Sequence, residues 1–300
     1  MGGGVLSLPY MFVLCGYLMG YILMAVSALA GVWSNLILAR MAIAHKKANY
    51  NEIVLLAGGP KLQKALQIML LIYLFGACTG YQIIQTQMVA YIANQFGFSY
   101  DDTNTMWFRA AVNIPLDAFI VIPLSAMRDM SSLAFISLLT VLALVYCALL
   151  LLIEVPFYNR QYKTEQNFKE TVFMMDWNFL QACSMTFFAY TCQVQLLPIY
   201  SELVRPSYRR IAKVVKYSLF TDFAVYAIVA TCGYFSTFNY TNPIVIYRDP
   251  LPAYNPDYTM IVCAVGILIV MISSYPCNYN PWRQAFFVFL LKKPDYSNFA

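Results

Sequence analysis

The chain has 300 residues, 61% hydrophobic and 11% charged, with 19 Lys and Arg against 14 Asp and Glu and a mean hydropathy of +0.60. Water-soluble domains carry about 25% charged residues. A soluble domain could not cover its surface with so few, so the composition excludes that class and points to a multi-pass membrane protein.

In chain order, the first element is "GGGVLSLPYMF", residues 2–12. Glycine is about 1 kcal/mol worse than alanine in a helix interior, and Pro9 has no N–H to give. This stretch predicts a partial, interrupted segment. Apolar runs follow over 13–39, 65–96, 107–126, 131–155, 178–200, 211–237 and 258–280. Most exceed the roughly 20 residues that cross a bilayer as a helix. About eight membrane segments are expected, the first incomplete. No basic region precedes the opening run, which argues against a signal peptide.

The loops alternate in charge. Arg40, Lys46, Lys47, Lys61 and Lys64 follow the first full run, and Arg205, Arg209, Arg210, Lys213 and Lys216 follow the run ending at 200. The loops holding Asp101 and Asp102, and Arg248, Asp249 and Asp257, are acidic or balanced. The positive-inside rule then puts both termini in the cytoplasm. The sequon Asn239-Tyr240-Thr241 falls in a loop assigned outside.

Enzyme chemistry finds little support. The eight cysteines lie in apolar runs without CxxC spacing, so they read as small buried hydrophobes. His45 is the only histidine, in a basic loop. "LAGGPKLQK", 56–64, is a glycine-proline turn and not a phosphate-binding loop. No enzyme is expected.

A second interruption lies in "FFAYTCQVQLLPIYSEL", 187–203, where Thr191, Gln193, Gln195 and Pro198 crowd an apolar run. Irregular backbone at membrane depth is tolerated only where it is packed in protein or lines a cavity. Two interrupted segments, one opening each half of the chain, are the pattern of inverted-repeat transporters, whose half-helix ends hold an anionic group and a cation. The competing reading is that Gly2 to Gly4 are packing positions and Pro198 a kink.

Six segments in order resemble the amino acid/auxin permease family, which includes sodium-coupled neutral and proton-coupled vacuolar and lysosomal amino acid transporters. They are "GGGVLSLPYMF", "NYNEIVLLAGG" (49–59), "IYLFGACTGYQII" (72–84), "IPLSAMRDMSSLAFISLL" (122–139), "LLPIYSELVRPSYRRI" (196–211) and "PCNYNPWRQAFF" (276–287). The resemblance implies an all-α integral membrane protein with a LeuT-type inverted-repeat helical bundle. It further implies one transporter domain over 1–300, incomplete at both ends, with about eight of eleven spans. "AFFVFLL", 285–291, is too short to span by itself.

Residue roles follow from the resemblance. Gly2, Gly3, Gly4 and Ser7 would form the unwound part of the first helix. Phe188, Ala189, Tyr190 and Thr191 match the break in the sixth. Thr79, Gln82 and Thr86 share one helix face and either line the same cavity or hydrogen-bond between helices. Ser273 and Ser274, with backbone carbonyls near Gly2 and Val5, form a candidate sodium site, or else the serines bond back to their own helix. Relatives carry a His-Pro-Glu run where this chain has Gln193-Val194-Gln195, which removes both titratable groups there. Asp117 and Asp222 are acids within apolar runs, and intramembrane acids are usually functional.

The implied function is secondary active transport, by symport, of small neutral amino acids across a plasma, vacuolar or lysosomal membrane. The expected partners are the amino acid, a coupling ion (sodium or proton) and the lipid bilayer, with no nucleic acid and no organic cofactor. The alternative is a non-transporting membrane subunit or sensor that keeps the fold.

Overall fold

The computed structural model describes residues 2–47, 49–126, 134–164, 168–203, 207–248 and 257–291. Among these every regular element is helical. In lipid only an intra-segment hydrogen-bond ladder satisfies each N–H and C=O of a single span.

A 3-10 turn, Gly3–Ser7, leads into α1, Leu8–Cys15. Then come α2, Tyr17–His45, α3, Tyr50–Gln95, the short α4, Tyr100–Thr103, and α5, Met106–Leu116. A π turn, Asp117–Val121, joins α5 to α6, Ile122–Ala126. The second half holds α7, Ala134–Tyr162, α8, Asn178–Tyr190, α9, Gln193–Glu202, α10, Tyr208–Thr237, and α11, Tyr258–Leu291.

Among the described residues, six helices are long and apolar enough to cross a membrane: Tyr17–His45, Tyr50–Gln95, Met106–Ser125, Leu138–Tyr162, Tyr208–Tyr240 and Tyr258–Phe287. The other two expected segments are the interrupted ones. Gly3–Cys15 is short, and the run predicted over 178–200 is the pair α8 and α9.

Three boundaries differ from expectation. The run predicted over 13–39 divides at Gly16, whose φ of +81° favours glycine. The loop after α7 crosses there: the amides of Tyr17 and Leu18 donate to the carbonyls of Thr171 and Val172, and Met174 donates to Cys15. A Cβ on Gly16 would lie 2.6 Å from the backbone of Val172 and Phe173. The segment 285–291 is not separate, because α11 runs through Pro276 and Pro281 to Leu291. The turn at 56–64 is a kink inside α3, at Gly59, φ +74°. Within "IPLSAMRDMSSLAFISLL", residues 127–133 lie outside the described set, as do Arg205 and Asp249.

Side-chain caps start several helices. Asn49 accepts from the Asn51 amide, Thr105 from Phe108, and Asp257 from Met260 at the head of α11. Contacts gather the helix ends on two sides. The end of α2 meets the start of α10 where Arg40 Nε donates to the Tyr208 hydroxyl at 2.8 Å. Opposite, Asn94 of α3 donates to Tyr247, Asn159 of α7 to the Phe235 carbonyl, and the Asp257 amide to Gln95. The basic ends 40–47 and 208–216 therefore fall together, as the charge alternation requires. The sequon adds nothing to this. The Thr241 hydroxyl is buried, bonded to Thr237 and the Phe238 carbonyl, and Asn239 accepts from the Lys169 amide.

Candidate functional site

The opening glycines set the geometry. A Cβ on Gly4 would lie 2.8 Å from the Ala189 Cα, so the first interrupted segment touches the end of α8 backbone to backbone. A Cβ on Gly3 would lie 2.8 Å from Ile84 of α3 and 2.9 Å from the Met271 sulfur of α11, and one on Gly2 would sit 3.2 Å from the Tyr81 hydroxyl. Such approaches need residues without side chains. Gly2 to Gly4 thus lie where the first segment comes close to α3, α8 and α11. The Ser7 hydroxyl donates to the Gly4 carbonyl at 3.0 Å.

The second interruption is at Thr191 and Cys192, between α8 and α9. Pro198 lies inside α9 and does not make the break. Leaving the helix frees the Ala189 carbonyl, which the Tyr226 hydroxyl of α10 approaches at 3.4 Å. The Tyr190 ring packs edge-on against Tyr226, 5.3 Å between centroids. Its hydroxyl is buried and has no hydrogen-bond partner among the described residues. The Thr191 hydroxyl turns back to the Phe187 carbonyl at 2.7 Å, and the Phe188 ring lies against Tyr73.

Ser34, Asn35 and Asn278, to which the sequence assigns no role, complete the junction with Gln193 and Gln195. Asn35 of α2 donates to the Gly31 carbonyl at 2.7 Å and to the Cys192 sulfur at 3.3 Å. Gln193 donates to Ser34, also on α2, at 2.9 Å. Gln195 donates to Asn278 of α11 at 3.0 Å, and Asn278 donates to the Tyr81 hydroxyl at 3.1 Å. That chain ties α9, α11 and α3 together beside Gly2. The signal for Asn35 is a lone amide in a long apolar run, and such amides in bundles usually find a partner across helices.

The other predicted residues lie elsewhere. Gln82 donates to Asp117 at 2.6 Å and Thr86 to Asn113 at 2.8 Å, so both meet α5 and the π turn after it and not the glycines. The Thr79 hydroxyl is exposed and bonds to the Phe75 carbonyl. Ser273 shares a 3.0 Å contact with Thr140 of α7 and donates to the Val270 carbonyl, as does Ser274 at 2.7 Å. The Val5 carbonyl accepts from Leu8. Met271, one turn before Ser274, is the α11 residue at Gly3. Asp222 lies one turn before Tyr226 on α10. A groove of about 620 Å³ lined by Tyr208, Arg209, Lys213, Lys216 and Tyr217 contains none of the predicted residues.

Glu154 lies one residue from the end of the run 131–155, and nothing local announces its partner. It pairs with Arg248, whose guanidinium lies 3.8 Å over the Tyr158 ring. In the same loop the Val245 amide donates to the Leu6 carbonyl at 3.1 Å. The loop before α11 thus reaches the first interrupted segment.

The sequence profile of the family described as "Transmembrane amino acid transporter protein" matches residues 1–299. The chain is 26% identical over 286 residues to the Mus musculus "Solute carrier family 38 member 10", covering 95% of this chain and 25% of that protein. The Homo sapiens protein of the same name is 24% identical over the same length. Homo sapiens "Sodium-coupled neutral amino acid transporter 7" is 24% identical over 285 residues, 92% of this chain and 59% of that protein. The chain thus spans from a quarter to three-fifths of the length of these relatives. Those relatives are transporters by name or family and not enzymes. Two interrupted segments meeting at Gly4 and Ala189 and a family match over nearly every residue lead to one statement: the chain belongs to the transmembrane amino acid transporter family.

Proposed function

We propose that the chain forms the substrate-binding core of a secondary transporter of small neutral amino acids, with a LeuT-type arrangement of its helices. The observation that carries this reading is the backbone contact between the two interrupted segments, Gly4 on Ala189, with the buried Tyr190 hydroxyl, unpartnered among the described residues, beside it. Interrupted helices leave backbone groups for a ligand to satisfy. The substrate carboxylate would be held by the amides at Gly2 to Gly4, and its side chain would face Phe188, Ala189, Tyr190 and Thr191. Sodium is the coupling ion we assign, a hard cation that takes oxygen ligands. It would be held by Ser273 and Ser274 with the Val5 carbonyl, once the hydroxyls turn from their present partners.

The test is uptake of radiolabelled amino acids by the native-length protein in proteoliposomes. Uptake should be saturable and should vanish in Gly4→Val, whose side chain would collide with the Ala189 backbone, while the amount in the membrane stays unchanged. Wild-type uptake by Gly4→Val would sink the assignment.

A further inference from the structure

The first turns of α10 carry a basic face. Arg209, Lys213 and Lys216 recur at helical spacing and are exposed, so they share one side of the helix. With Tyr208, Tyr217 and Phe220 they line the groove of about 620 Å³. Residues 207–221 contain no Asp or Glu. Among the described residues the ion pairs are Lys47–Glu52 and Arg248–Glu154, and none of the three cations belongs to either. One wall is held from α2: Arg40 Nε donates to the Tyr208 hydroxyl at 2.8 Å, and its guanidinium lies 5.1 Å from the ring centroid. That hydroxyl keeps its own proton to donate.

Helix length sets the depth of the groove. The span Tyr208–Tyr240 has 33 residues, about 50 Å of helix, against about 30 Å of hydrocarbon. Counting about 20 residues back from the end of α10 at Thr237 reaches Tyr217. Lys213 and Lys216 then stand at headgroup level, on the side that charge alternation makes cytoplasmic. Tyr217 falls at the boundary, a level that tyrosine favours, with Lys213 Nζ 5.6 Å from its ring centroid. Deeper in the bilayer the same face continues as Phe220, Ala224 and Ile228, all exposed. One continuous face therefore runs from three cations into hydrocarbon. A soluble anion would use only its polar half, and a headgroup of single charge would leave two cations unmatched.

We propose that this face binds a phospholipid whose headgroup carries phosphomonoesters. Arg209, Lys213 and Lys216 hold the phosphates, Tyr208 donates its O–H to one of them, and the acyl chains lie along Phe220, Ala224 and Ile228. Basic grooves at the cytoplasmic ends of spanning helices suit such headgroups. The groove is separate from the two interrupted segments, and the proposal does not rest on the transport reading.

Native mass spectrometry of the native-length protein in detergent, titrated with phosphatidylinositol bisphosphate, tests the groove. The protein should retain one such lipid, and far better than phosphatidylserine. Lys213→Gln with Lys216→Gln should weaken binding about thirtyfold, about fivefold for each lysine. Lys213→Arg with Lys216→Arg should keep it, which separates lost charge from lost folding. Lys61→Gln with Lys64→Gln, at two exposed lysines near the start of α3, should bind as the wild type does. Inositol trisphosphate, a headgroup without chains, should not displace the lipid at equal concentration. Undiminished binding in the Lys213 and Lys216 glutamine pair would overturn the proposal. Equal retention of phosphatidylserine would do so as well, since surface charge alone would then explain the binding. Displacement by inositol trisphosphate would make a soluble anion the ligand and also overturn it.

Discussion

Tyr190 shows how much one group can decide. Its hydroxyl is buried without a partner among the described residues, and leaving such a group unmade costs about 1–3 kcal/mol. Removing it should therefore not destabilise the empty protein. In Tyr190→Phe thermal stability should stay level or rise slightly. If the hydroxyl meets a charged group of the substrate, a bond of about 1.5–3 kcal/mol is lost, and the KM for uptake should rise about tenfold or more. An unchanged KM would mean that the ring only packs against Tyr226. At this scale the glycines are legible in the sequence, because three in a row beside an apolar run suit no regular membrane helix. Ser34, Asn35, Tyr226 and Asn278 are not, since each sits in an unbroken helix. Spacing gives Gln82 its helix face but not the neighbour that the face meets.

Helix breaks are easier to detect in the sequence than to locate. Pro198 suggests the breaker of the second segment, yet α9 runs through it, and α11 runs through Pro276 and Pro281. Membrane bundles tolerate such prolines because neighbouring groups satisfy the freed carbonyls. Gly16 gives no warning, since single glycines are common in membrane helices. Only the crossing segment of residues 171–174 shows why it is needed. The loop before α11 depends on a pair that no local pattern announces. Glu154 and Arg248 are 94 residues apart and nearly buried together. Removing one member of a buried pair costs about 3–5 kcal/mol, because the other charge is left unpaired. Arg248→Ala should lower the melting temperature in detergent markedly. Arg248→Met combined with Glu154→Leu should recover most of the loss. Equal melting temperatures for the wild type and Arg248→Ala would show that the pair does not hold the loop.

Across the whole molecule the apolar surface is on the outside as well as the inside. On α2, Leu18, Ile22, Val26, Leu29, Trp33 and Ile37 form an exposed stripe, which suits hydrocarbon and would be untenable in water. The packed face of the same helix carries Gly31, Ser34 and Asn35 toward the second interruption. Composition alone places the protein in a membrane, and charge alternation orders its ends. The meeting of Gly4 with Ala189 follows from the pairing of two breaks, but the contacts that close it come from α2, α3, α10 and α11 and cannot be read from either break. The native Cys192 lies inside this junction, held by Asn35, and gives the most direct measurement. Alkylation of Cys192 in the native-length protein, with Cys192→Ser as the control, should slow severalfold when a transported amino acid is present at saturating concentration. Cys183, earlier on α8, should label at the same rate with or without it. Equal labelling of Cys192 in the presence and absence of substrate would contradict the placing of the site between the two broken helices.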